Sequence, residues 1–190
     1  MDYKEFIENA IKTESVVDEL NIDKNLLLKI FQLFIETTEI LDAVKKQAFY
    51  GNAEKMKSIP ARTAKIEELS KQISFTYHHL ERGDFAAVKP FGVNTRVAHG
   101  VIGIATEAGE LTECLYKSME NNAPLDYVNL IEELFDGDWY KAVISDECDI
   151  DWEKSWQTII DKLKARFGEK FSEDRANNRD LDKERKILEN

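Results

Sequence analysis

Helix breakers are scarce in this chain. Eight glycines and three prolines are spread over 190 residues, and residues 25–82 contain one of each. A backbone with so few sites for tight turns is confined to long regular elements. Leu, Glu, Lys and Ala dominate and alternating β-branched runs are few, so the elements read as helices and the fold as all-α. Apolar periodicity predicts helices over roughly 2–19, 25–49, 60–82, 95–120, 125–145 and 152–167. Residues 21–23 (NID) interrupt the first pair and 50–52 (YGN) end the second helix. The stretch RGDFAAVKPFGVN, 82–94, is the most loop-like, and ENNAP at 120–124 is a turn with Pro124 near the next helix start. This divides the chain into an N-terminal helical part (1–94), a second helical set (95–167) and a polar C-terminal arm (168–190) ending in a short helix.

The formal net charge is −11 and the pI about 4.9. A net acidic chain does not bind nucleic acid or anionic membrane broadly, which takes a basic face. A small phosphate substrate is compatible only with a cation to offset the repulsion. The two cysteines, Cys114 and Cys148, form neither a framework nor a C-x-x-C pair and read as reduced thiols of a cytoplasmic protein. MDYKEFIENAIKTES is charged throughout, unlike a signal peptide, and no apolar run approaches the ~18 residues of a membrane span.

The chemistry-bearing pattern is a set of four acids. Glu107 and Glu110 in VIGIATEAGELTECLYKS are i,i+3, and so are Glu133 and Asp136 in NLIEELFDGDWYKAV. Each pair therefore projects from one helix face. The turn between the helices makes them an antiparallel hairpin, which can bring the pairs face to face. Val97, Val101, Ile104, Ala108, Leu111 and Leu115 form a stripe with Glu107 at its edge. On the second helix Ile131, Leu134, Phe135 and Ala142 make one stripe, and Val143 lies beside the acids on the other side. A helix apolar on two sides is buried on both, as in a bundle completed by a second subunit. Read singly, an E-x-x-E pair is a solvated helix face. Four clustered carboxylates need protons, lysines or a hard cation, and an oxygen-only set suits Mg²⁺ or Mn²⁺ rather than zinc.

An internal echo runs through the chain. FIETTEILDAVKKQ (34–47) aligns with ATEAGELTECLYKS (105–118), pairing Glu36 with Glu107, Glu39 with Glu110, Asp42 with Glu113 and Lys46 with Lys117. KIEELSK (65–71) echoes LIEELFD (130–136), with Lys71 standing where the second copy has Asp136. One reading is a duplicated helix pair whose first copy lost a carboxylate; the other is chance likeness between Glu/Leu-rich helices.

EAGE (107–110), a gap of 22 residues and ELFD (133–136) resemble the E-x-x-E…E-x-x-D pattern of the MazG-like all-α nucleoside triphosphate pyrophosphohydrolases. HGVIGIATEAGELTE, the WY at 139–140 and KLKARFGEKFSEDRANNRDLDKER are similar to the phage and bacterial branch of that family. The resemblance covers about 95–187, with a fainter likeness over 3–15; residues 52–94 match no part of it. It implies a MazG-like helical bundle and Mg²⁺-dependent cleavage of a nucleoside or deoxynucleoside triphosphate between the α and β phosphorus atoms. It also implies a homo-oligomer, a dimer or dimer of dimers, in the cytoplasm, or in a host's cytoplasm for a phage protein. Carried onto this chain, Glu107, Glu110, Glu133 and Asp136 would hold the metal and carry the catalysis. Lys117, Lys162 and Arg166 would contact phosphate, Trp139 and Tyr140 would stack on a base or pack the core, and Asn178 and Arg179 would reach the substrate or tie down the arm.

Three positions depart from the family's pattern: Ile159 where Asn is frequent, Gly168 where Pro is common, and Asp138 where an apolar residue is usual. Asp138 falls among Ile131, Leu134, Phe135 and Ala142, where an unpaired acid is costly. His99 reads as a capping or core histidine, His78 and His79 as ordinary helix residues, and Trp152 and Trp156 as packing. No Glu-x-x-His pair supports a di-iron bundle, and no G-x-x-x-x-G-K-[ST] supports a P-loop. The rival from another class is a non-catalytic, nucleotide-sensing or structural relative with a decayed site, or an adaptor for a basic partner. Ile159 and Asp138 favour it, and the intact four acids oppose it.

Overall fold

The computed structural model describes residues 1–81, the main chain of 87–88, and 93–189. The described chain is predominantly helical: α1 (Tyr3–Ala10), α2 (Lys24–Tyr50), α3 (Ile59–Leu80), α4 (Thr95–Glu120), α5 (Tyr127–Glu147), α6 (Trp152–Phe167), α7 (Glu173–Asn177) and α8 (Leu181–Leu188). A short two-stranded ribbon, β1 (Leu20–Asp23) beside β2 (Ala87–Val88), is the only extended pairing among the described residues. Most of the loop-like stretch 82–94 lies outside them.

The helix starts have local causes. The side chains of Asp23, Asn94 and Asp126 accept the first free N–H groups of α2, α4 and α5, and Gly51 closes α2 at φ +62°. The first helix departs from expectation. Instead of running over 2–19 it ends at Ala10, passes through a 3-10 turn at Ile11–Thr13 and becomes extended at Glu14. Helix continuation loses to a distant contact: the Glu14 carboxylate, 2 % exposed, is held 2.7 Å from the Arg96 guanidinium.

Two compact units emerge. The first comprises Met1–Leu20 and Lys89–Trp152, the second Asn21–Val88 and Glu153–Asn190. In the first, α4 and α5 form an antiparallel hairpin and α1 packs on α5. The hairpin closes tightly at two glycines. A Cβ at Gly103 would lie 2.1 Å from the Tyr140 ring, and one at Gly100 would lie 2.4 Å from Cγ1 of Ile144. Ala142 and Val143 are fully buried. Arg96 ties the open end together, pairing with Glu14, with Asp146 at 2.8 Å and with Glu147 at 2.8 Å.

In the second unit α2 and α3 form another hairpin, with Ala43 and Leu69 at its centre. α7 packs on α2, and Asn52 donates to Asn177. The tail is built around Glu184, 5 % exposed, which accepts two hydrogen bonds from Arg166 and two from Arg179. Those guanidiniums hold its carboxyl down at about 2.

Candidate metal centre

The acid pattern converges in the first unit. One carboxylate oxygen from each of Glu107 and Glu110 on α4 and Glu133 on α5 lies within 4.8 Å of the others. Glu107 and Glu133 are 9 % and 7 % exposed, while Glu110 opens to solvent. The i,i+3 spacing puts Glu107 and Glu110 on the α5-facing side of α4. The glycine-assisted closure at Gly100 and Gly103 then brings Glu133 within reach. Thr106 Oγ1 lies 3.4 Å from Glu107 Oε1. Asp136 is exposed one turn beyond Glu133 and is not within that three-carboxylate cluster.

Among the described residues no lysine or arginine forms an ion pair with Glu107, Glu110, Glu133 or Asp136. Burial, with the adjoining Glu110 and Glu107 carboxylates, pushes Glu133 up to about 7. The same field reaches Tyr140. Burial raises its hydroxyl, and the charges of Glu107, Asp136 and Glu110 raise it further. A cavity of about 340 Å³ adjoins the cluster, bounded by Glu110 and Glu133 and continuing past Cys114, Lys117, Asn121 and Asn129. The Asn129 side-chain amide donates to Cys114 Sγ at 2.7 Å on its wall.

The other candidates of the sequence divide between the units. Lys117 borders the cavity and pairs with Glu113 at 2.8 Å. The Trp139 indole N–H donates to Ala10 O at 3.1 Å and to Thr13 Oγ1 at 3.0 Å, which fixes its ring under α1. His99 packs edge-on against both Trp139 and Tyr140. Lys162, Arg166, Asn178 and Arg179 belong to the second unit. There Arg166 and Arg179 are engaged by Glu184, and the Asn178 side chain donates to Asp174 at 2.7 Å. Asp138, the acid in the apolar stripe, pairs with Lys141 at 2.9 Å. That i,i+3 partner was visible in the sequence. The Arg96–Glu14 and Arg166–Glu184 pairs were not, since those arginines lie 82 and 18 residues from their acids.

The donor set fits a hard divalent cation. It is all oxygen, two of its three carboxylates are withdrawn from water, its oxygens are gathered within 4.8 Å, and it is paired with no described lysine or arginine. No protein-family model matches this chain, and no curated protein and no solved structure matches it either.

Proposed function

We propose that the α4–α5 hairpin is a Mg²⁺-dependent site that hydrolyses a nucleoside or deoxynucleoside triphosphate to the monophosphate and pyrophosphate. The observation that carries this reading is the convergence of Glu107, Glu110 and Glu133, which pair with no lysine or arginine among the described residues. The E-x-x-E…E-x-x-D resemblance supplies the reaction class. Glu107, Glu110 and Glu133 would hold the ion through their carboxylate oxygens, and Asp136, one turn beyond Glu133, would complete the set. A bound Mg²⁺ would supply charge neutralisation for the phosphate oxygens and acidify an attacking water. One of the four carboxylates would serve as the base toward that water. Tyr140, packed on Gly103 one turn before Glu107, walls the acids on one side, and Lys117 offers its ammonium to phosphate from the wall of the adjoining cavity. Because four acids repel a tetra-anion, the protein without metal binds the nucleotide weakly.

The test is product analysis. The full chain is incubated with Mg²⁺ and each ribo- and deoxyribonucleoside triphosphate, beside Glu133→Gln and beside an EDTA control. Monophosphate plus pyrophosphate, lost in both controls, is the expected result, and the preferred nucleotide names the substrate. Diphosphate plus phosphate would give a different reaction. Mg²⁺ and nucleotide binding without turnover would establish the non-catalytic, nucleotide-sensing reading instead.

A further inference from the structure

The cavity beside the acids runs toward the turn that joins α4 to α5. Glu107, Glu110, Cys114, Lys117 and Asn121 follow one another on α4 at steps of three and four residues, and Glu133, Asn129 and Asp126 do so on α5, so each set forms one row. The helices are antiparallel, and the contact of Asn129 Nδ2 with Cys114 Sγ at 2.7 Å pairs the rows one rung beyond Glu110 and Glu133. The cavity, about 340 Å³, continues from that rung to a turn end walled by Ser118, Asn121, Ala123, Pro124 and Asp126. From Glu110 to Asn121 the helix advances roughly 16 Å, room for an α-phosphate at the acids with its sugar and base beyond.

Most polar groups of the cavity are already committed. Lys117 turns back along α4 to Glu113 at 2.8 Å, so its ammonium lies toward the acid end, where phosphate would lie. Asn121 donates to Lys117 O, Ser118 donates to Ala123 O, and Asp126 Oδ1 caps the start of α5. The half-buried Asn129 amide differs. It donates only to a thiol sulfur, a weak acceptor, and its Oδ1 accepts no hydrogen bond from a described residue. Such an amide gives up little when a ligand displaces the sulfur. In the other direction along α5, Trp139 is fixed under α1 and Tyr140 lies against Gly103. Both aromatics that the sequence offered to a base are engaged in packing, and the open space lies at the turn end.

We propose that the turn end of this cavity reads the nucleobase and that Asn129 is the specificity-determining residue, selecting a base with an exocyclic amine beside an unprotonated ring nitrogen: adenine or cytosine. A side-chain amide presents an acceptor and a donor side by side, Oδ1 taking the amine and Nδ2 giving to the ring nitrogen. Guanine, uracil and thymine offer the opposite pair, a keto oxygen beside a ring N–H. An amide turned over would meet them equally well, and Asp126 breaks the tie. Among the described residues walling the turn end it is the only charged one, and its carboxylate attracts amine hydrogens and repels a keto oxygen. The proposal rests on the hydrolytic reading for its ligand, a nucleotide, and not for turnover.

Binding without turnover tests it. Isothermal titration calorimetry of the full chain in Mg²⁺ uses the α,β-methylene triphosphates of adenosine, cytidine, guanosine and uridine, whose α–β bridge resists hydrolysis. The adenosine or the cytidine analogue is expected to bind at least about tenfold tighter than the guanosine and uridine analogues, a ranking read on the parent chain independently of any variant. Asn129→Ala, at unchanged helicity by circular dichroism, reduces the margin to within about threefold, whereas Glu133→Gln weakens all four alike. Tightest binding of the guanosine or uridine analogue, or a margin that survives Asn129→Ala, would overturn the proposal even where monophosphate and pyrophosphate are produced. Base-selective binding that Asn129→Ala abolishes, in a chain that turns over no natural nucleotide, would uphold it and sink the hydrolytic reading. Binding of no analogue would overturn it as well.

Discussion

The α2–α3 hairpin and the α4–α5 hairpin carry acids at the same spacing and hold them in opposite electrostatic states. In α2–α3, Arg62 reaches Glu36 at 2.5 Å and Glu39 at 3.0 Å, and Lys55 reaches Asp42 at 2.6 Å and Glu39 at 3.3 Å. Lys45 and Lys55 hold the Asp42 carboxyl well below the usual carboxylate range. Glu68, which aligns with Glu133, is exposed and bonds Gln72 and Lys65 of its own helix. In α4–α5 the residue aligned with Arg62 is Tyr127, no lysine or arginine among the described residues pairs with the cluster, and Glu133 joins Glu107 and Glu110. One hairpin thus pairs its acids with cations, whereas the other gathers three carboxylates that no described lysine or arginine pairs with.

Packing separates the two hairpins as clearly. Gly103 and Gly100 of α4 align with Gln32 and Lys29 of α2, and Tyr140 of α5 aligns with Phe75 of α3. Where the glycines stand, Tyr140 lies flat against the neighbouring helix. Where they do not, Phe75 is 67 % exposed and Lys29 spans to Thr76 at 2.7 Å. A close helix approach and an unneutralised acid cluster occur in the same hairpin, because the first brings carboxylates of two helices within reach of each other.

The sharpest way to break this comparison is to remove one acid from each hairpin. Glu133→Gln should lower Mg²⁺-dependent turnover by at least ~100-fold. Glu36→Gln should leave it within about twofold, since its carboxylate is already consumed by Arg62. Steady-state rates on the preferred nucleotide decide it, and equal losses in the two variants would erase the distinction.

Gly103→Ala probes the packing half. A methyl 2.1 Å from the Tyr140 ring forces the helices apart. A cost of about 1–3 kcal/mol follows from overpacking, read as a lower midpoint in urea. Gln32→Ala on α2 should stay within about 0.5 kcal/mol.

Arg62→Met would make the ion-paired hairpin resemble the other by leaving Glu36 and Glu39 without their guanidinium. Because all three side chains are partly exposed, a loss of about 1 kcal/mol is expected, smaller at high salt. Denaturant melts at two ionic strengths measure it.

The smallest effect concerns protons. Glu133 rises from the ordinary glutamate value of 4.5 to about 7 in the folded chain. Between those values the native state holds a proton that the unfolded chain has released, so stability in EDTA falls as pH rises through that window. Thermal midpoints at pH 5 and pH 8 should show the fall, Mg²⁺ should offset it at pH 8, and Glu133→Gln should flatten it. A midpoint that rises with pH in EDTA would contradict the assignment.

Much of this was legible in the sequence because its causes are local. The helices from 95 and 152, and those near 25, 60 and 125, start where a cap or a breaker stands in the chain, and the i,i+3 acids announce their shared face. The end of α1 was not legible, since Glu14 leaves the helical path for an arginine 82 residues away. The aligned pattern also put the difference between the hairpins at Lys71 against Asp136. The structure adds Arg62, one turn before the matched segment, whose reach across to α2 no periodicity records. Nor could spacing reveal that Glu68 turns back along its own helix while Glu133 faces a partner helix. Patterns along one helix fix directions of side chains; which charges meet depends on what the neighbouring helix brings.

Arg96 gives the α4–α5 hairpin a property of a tool. The chain itself joins the two arms at residues 121–126, and three carboxylates gathered on one guanidinium clamp them at the far end. Jaws fixed at both ends keep their gauge in the middle, where Glu107 and Glu133 face each other. The separation of the facing carboxylates is thereby set by the fold at both ends of the hairpin, and anything placed between them would have to accept that spacing.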